Sequence, residues 1–122
     1  MTVNELRALG ENGATIIDIG KHAGKPQIRG AIRYRPQDLL TAKRLMLPLS
    51  LDKPVVLYDE HGGDDATKQI AEKLRDAGFR VEILEGGLAA WKDGGGPVQE
   101  ASLEQVVPPA RSDEVQELDR RL

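Results

Sequence analysis

The sequence predicts a single α/β domain built on a central parallel sheet of about five strands, with helices on both faces. Three observations predict it. Short apolar runs rich in β-branched residues, Thr15-Ile16-Ile17 and Val55-Val56-Leu57, are bounded by turn-forming residues, as buried strands are. Stretches with helical spacing lie between and after them, so strands and helices alternate through short loops, the pattern that yields parallel pairing. The length of 122 residues suits one domain of roughly 100 to 200 residues and leaves no room for two.

The elements follow in order. Thr2 and Glu5 are spaced so that each side chain can accept from the other's exposed amide, a capping box that opens a short helix running through Leu9. Gly10 and Gly13 stop it. Ala14 to Asp18 reads as a buried strand, ending in the loop Gly20-Lys21-His22-Ala23-Gly24. Ile28 to Ile32 reads as a short strand approach. Pro36, at the first-turn position where its missing N–H costs nothing, starts a helix expected to reach about Leu45. Val55 to Tyr58, uniformly apolar between Pro54 and a polar loop, is expected to be the central strand.

From Ala66 to Ala77 the residues Ala66, Ile70, Ala71, Leu74 and Ala77 share one helical face, with Lys68, Glu72, Lys73 and Asp76 elsewhere. Gly78 can close that helix in the left-handed conformation, with Phe79 touching Leu74 in a Schellman motif. Val81 to Leu84 is the next strand and Gly87 to Lys92 a short helix carrying Trp91, a residue expected in the core. The domain is expected over residues 1–98. Residues 99–122, with Pro108-Pro109, read as a linker and a short C-terminal helix or disordered tail, Val115, Leu118 and Leu122 falling at helical spacing.

Composition narrows the functional classes. Seventeen basic against 20 acidic side chains give a formal net charge of only -3, too weak a field to imply nucleic acid or an anionic membrane as partner. One Trp, two Tyr and one Phe leave little for base stacking. No apolar run approaches a membrane span, and Met1 to Glu5 lack the basic and apolar regions of a signal peptide, so a cytoplasmic monomer is expected. The cysteine count is zero, which removes disulfides, cysteine-ligated zinc, thiolate nucleophiles and persulfide carriers together.

The segment Val81-Glu82-Ile83-Leu84-Glu85-Gly86-Gly87-Leu88-Ala89-Ala90-Trp91, followed by Gly96-Pro97-Val98, resembles the closing signature of the rhodanese family. Three further segments stand in the family's order: Thr15-Ile16-Ile17-Asp18, Gln27-Ile28-Arg29-Gly30-Ala31 and Val55-Val56-Leu57-Tyr58. The resemblance implies a rhodanese-like fold over residues 3–98. It also implies a loss. Members active in sulfur transfer place a cysteine immediately after the central strand, in a loop whose amides cradle a persulfide anion, whereas this chain has Asp59 there. Tyr58-Asp59-Glu60 with the glycines that follow is similar to the non-catalytic N-terminal halves of two-domain thiosulfate and mercaptopyruvate sulfurtransferases, which partner a catalytic half.

The candidate binding residues are therefore those of the altered loop, Asp59, Glu60, His61, Gly62, Gly63, Asp64 and Asp65, with no catalytic residue, metal ligand or cofactor assigned. The expected function is that of a catalytically inactive binding or regulatory module, paired with a catalytic domain or a sulfur-metabolism partner. The alternative is an enzyme using the loop carboxylates and His61 to hold a divalent metal or move protons. Against that, Asp64 and Asp65 have a sufficient structural reason to precede a helix, through capping and the helix dipole, and the spacing matches no metal motif. His22 and His61 are expected in solvated loops, and Lys21, Lys25 and Arg29 could form a basic lip opposite the acidic loop. Gly62-Gly63 lacks the Walker spacing, so no nucleotide is expected.

Overall fold

The local signals in the sequence become four helices and seven short strands in a computed structural model that describes residues 1–10, 12–20, 26–42, 47–100 and 104–105. Helix α1 (Val3–Leu9) begins with the capping box, Thr2 and Glu5 each accepting from the other's amide. Strand β1 (Thr15–Asp18) follows, then β2 (Gln27–Ile28), β3 (Ile32–Tyr34) and α2 (Pro36–Thr41). The second half comprises β4 (Val55–Tyr58), α3 (Asp65–Asp76), β5 (Val81–Ile83), α4 (Gly87–Asp93), β6 (Val98–Gln99) and β7 (Glu104–Gln105).

Among the described residues the main sheet has the order β5-β4-β1-β3-β7, every pairing parallel, with β7 adding only two residues at the β3 edge. A second, two-stranded sheet pairs β2 with β6 antiparallel. The period-2 alternation of strands decides which face each residue serves. Ile17, Val55 and Leu57 pack with Leu39, Ile70, Leu74 and Phe79 beneath α2 and α3. Ile16, Val56 and Tyr58 pack with Leu6, Leu88 and Trp91 beneath α1 and α4. β4, buried at all four positions, feeds both layers, which is why its sequence runs apolar without alternation.

Two local expectations are corrected. The Ile28–Ile32 strand is two strands in different sheets: the chain leaves β2 after Ile28, turns at Gly30 (φ 87°), and rejoins the main sheet at Ile32. α2 ends at Thr41 rather than near Leu45, because Ala42 is already extended (φ -64°, ψ 131°). The Lys73 ammonium from α3 caps that end, donating to the carbonyls of Leu39, Leu40 and Ala42. The close of α3 is as expected: Gly78 has φ 100°, Phe79 N donates to the Leu74 carbonyl at 3.1 Å, and the Phe79 ring is buried. The helix expected over Ser112–Leu122 lies outside the described residues. No helix among the described residues is long and apolar enough to cross a membrane.

Candidate functional site

In an open parallel sheet the loops beyond the strands' C-terminal ends are where ligands meet the chain. Here the central pair β1 and β4 run in register, Asp18 opposite Tyr58, so two aspartates, Asp18 and Asp59, emerge side by side at that edge. Their surroundings differ completely.

Asp18 is held by two side chains from other strands and by one amide of the loop that follows it. It accepts from Gln27 Nε2 at 2.9 Å, from Arg33 at 3.3 Å and from Gly20 N at 2.8 Å. Gln27 and Arg33 are themselves buried, so the carboxylate gives two interior polar groups their partner. Tyr58, also buried, accepts from Ile28 N at 3.1 Å. Burial, with the Asp18 charge adding to it, raises the pKa of the Tyr58 phenol far above its ordinary range and keeps it neutral.

Asp59 instead faces its own loop. The amides of His61 (3.0 Å), Gly62 (2.7 Å) and Gly63 (3.0 Å) donate to one carboxylate oxygen, and those of Gly63 and Asp64 (3.0 Å each) to the other. The buried Thr67 hydroxyl lies 3.1 Å from Asp59 and 3.1 Å from Asp64, so its single proton serves one of them at a time. Partial burial opposes the charge of Asp59, yet the four amides together outweigh it and hold the carboxyl below its ordinary value.

Glycine makes this loop possible at two positions. Gly62 (φ 115°) and Gly63 (φ 106°) adopt a conformation that side chains avoid, and a Cβ on Gly62 would meet the Gly86 nitrogen at 2.8 Å. The Gly86-Gly87 turn presses from the other side: Leu88 N and Ala89 N, at the start of α4, donate to the carbonyls of Asp59 and Glu60 at 2.9 and 3.0 Å. The loop is thereby wedged between β4, α3 and α4.

The remaining acidic residues do not converge. Asp64 is the N-cap of α3, accepting from Thr67 N at 2.9 Å, and Asp65 begins the helix, as capping and the helix dipole favour. The His61 ring is 83% exposed, with Nε2 3.9 Å from Glu60, so it is set outside the amide ring and not into it. Among the described residues no three of His, Asp and Glu group so as to hold a metal ion. A cleft of about 400 Å3 opens over the loop, lined by Ile19 and by residues 59–64. Of the expected basic lip, Lys21, Lys25 and the neighbouring His22 lie outside the described residues, and Arg29 is exposed beside β2. Trp91 is core: it is 5% exposed, and its indole donates to the Pro97 carbonyl.

Two parts of this edge escape a reading of the sequence, Thr67 and the Arg33–Gln27–Asp18 cluster. The pattern Asp64-x-x-Thr67 before a helix was an available sign of the first, and a charged residue in place of an apolar one on β3 was a sign of the second.

A doubly covered parallel sheet with an amide-lined loop after its central strand defines the class, and comparison with known proteins gives the family. The chain belongs to the rhodanese-like domain family, whose model matches residues 2–94. A full-length protein from Lactobacillus plantarum has a similar crystal structure (TM-score 0.71, 29% identity, covering 82% of this chain and 86% of that one). The Alr3790 protein from Anabaena sp. is similar over 94% of this chain and 99% of that one (TM-score 0.68, 30% identity). The rhodanese-like domain of the Alr3790 protein has a TM-score of 0.59 and 34% identity, covering 80% of this chain and 97% of that one. Comparison with curated proteins found no match.

Proposed function

We propose that this chain is a rhodanese-like domain that transfers no sulfur and acts as a binding or regulatory module in the cytoplasm, beside a catalytic domain or a sulfur-metabolism partner. One observation supports the reading above all others. The residue following β4, where the family resemblance implies the sulfur-carrying cysteine, is Asp59, and the chain contains no cysteine to act elsewhere. A carboxylate cannot accept a sulfane sulfur as a persulfide, because there is no sulfur atom to form the S–S bond. Both core layers and the loop's glycine turns give the loop a rigid support, as a surface used for recognition requires.

The experiment is a thiosulfate:cyanide sulfurtransferase assay on the purified chain, with intact mass measured after exposure to the donor. No turnover above background and no added sulfur are expected. Clear activity, or a covalent sulfane adduct, overturns the reading. The binding role is tested by adding a catalytic rhodanese domain to isotope-labelled chain: shifts of the amides at 59–65 are expected, and an unchanged spectrum removes that partner.

A further inference from the structure

We propose that residues 113–119 of this chain dock in a hollow between α1, α4 and the β2–β6 sheet, with Val115 and Leu118 on its apolar floor and the neighbouring carboxylates against Arg7 and Arg29 at its rim.

The hollow measures about 200 Å3 and shares no lining residue with the cleft over the Asp59 loop. Among the described residues, buried Leu6, Ile16 and Trp91 form its floor, and exposed Arg7, Arg29 and Pro97 stand around them. The Arg7 guanidinium is held in place by donating to the Gly94 carbonyl at 2.8 Å. Of the three large apolar residues that are exposed among the described ones, Leu9, Leu51 and Val98, two adjoin the hollow in sequence. Leu9 precedes Gly10, which also lines it, and Val98 follows Pro97. An apolar area bordered by charge marks a place where another segment lies.

Volume decides what kind of occupant fits. The hollow is smaller than the roughly 300 to 1,000 Å3 of sites that enclose a whole small molecule, and it suits one or two aliphatic side chains set down as anchors. Charge then decides which segment. No acidic residue lines the hollow among the described ones, so its two guanidinium groups select carboxylates. Residues 106–122 lie outside the described residues, and their sequence contains the complement. Asp113-Glu114-Val115-Gln116-Glu117-Leu118-Asp119 carries four carboxylates, no basic residue, and two aliphatic residues three apart, a spacing that puts both on one side of a helix. Leu118 stands between Glu117 and Asp119, an anchor flanked by negative charge on both sides. The cleft over the Asp59 loop, lined by Asp59, Glu60 and Asp64, repels the same segment. Reach is sufficient: residues 106–112, at roughly 3.3 Å each when extended, span about 23 Å from the end of β7, against a radius of gyration of about 13 Å for a domain of this size.

The test uses the full chain. Because it has no cysteine, one introduced as Gln116→Cys carries a nitroxide at a single known position. In isotope-labelled protein the amide signals of Leu6, Arg7, Gly10 and Arg29 and the Trp91 indole signal should be the most broadened, and reducing the nitroxide should restore them. Adding Leu118→Ser, a change outside the described residues, should weaken docking by about tenfold or more and remove most of that broadening. Arg29→Glu should weaken it as well, and so should raised salt. Broadening that is uniform, or strongest at residues 59–64, or unchanged by Leu118→Ser, overturns the proposal. A mixture of isotope-free chain bearing the nitroxide and isotope-labelled chain without it distinguishes a second copy as occupant. No broadening at the hollow is expected there, and broadening equal to that within one chain would overturn docking in the same molecule. Sulfur transfer by the native chain would end the non-catalytic reading and leave this result as it stands.

Discussion

Asp18 and Asp59 leave the same edge of the same sheet on neighbouring strands, yet one is held by segments far apart in the chain and the other by the four residues that follow it closely. The first kind of contact ties the fold together. The second shapes a surface. Asp18 meets Gln27 of β2 and Arg33 of β3, so it stands where the small sheet joins the main one, and its loss is felt by the whole domain. Asp59 organises only the loop wedged against the Gly86-Gly87 turn, so its loss is felt locally.

Asp18→Ala should therefore have the largest effect, because it removes one carboxylate from the buried Arg33 guanidinium and the acceptor from the buried Gln27 amide; about 3 kcal/mol is expected for breaking a buried pair from one side. Denaturant unfolding followed by circular dichroism measures it. A loss no greater than that of Asp59→Ala would erase the distinction between the two carboxylates.

Gly62→Ala comes next, at about 2 kcal/mol, since it combines an unfavourable φ with a Cβ placed 2.8 Å from the Gly86 nitrogen. Its signature should be confined to amides at 59–64 and 86–89, and disturbance spreading to Gln27 and Arg33 would show that the loop is not a local unit.

Asp59→Asn should cost about 1 to 2 kcal/mol, because one oxygen remains to accept while an NH2 group now faces donors. Its pH dependence sharpens the point. The folded carboxyl titrates below the ordinary value of about 3.9, so the native chain has this contribution in full above that pH and loses it as the pH falls through the folded pKa. Stability curves of the native chain and of Asp59→Asn should accordingly converge in acid. A constant gap between them would mean that the amides do not favour the ionised form.

His61→Ala should change stability by less than about 0.5 kcal/mol, its ring being 83% exposed. A larger loss would give the imidazole a role that its position does not suggest.

The sequence makes the fold readable wherever burial dictates residue type. Val55–Tyr58 lies under helices on both sides and can only be apolar, and Gly78 and Phe79 must follow α3 if it is to close on Leu74. The parting of Ile28 from Ile32 was not readable, because a turn at Gly30 and a β-branched residue on either side of it look like one interrupted strand. At the edge, Asp64 and Asp65 could be read as capping residues, and the structure gives Asp64 that role. The surroundings of Asp59 could not be read. The donors that meet it are backbone amides, which every residue but proline possesses and no letter of the sequence records, so a run containing Asp59, Glu60, Asp64 and Asp65 looks simply repulsive. Only the two adjacent glycines hint that the chain turns back on the first of these carboxylates.

The most direct test of that central contact is a pH titration of the Asp59 side-chain carboxyl carbon, read together with the amide protons of Gly62, Gly63 and Asp64. The carboxyl should stay ionised below the pH at which free aspartate protonates, and the amides should move with it at a shared midpoint. A midpoint at or above the ordinary value, with the amides unmoved, would contradict the account.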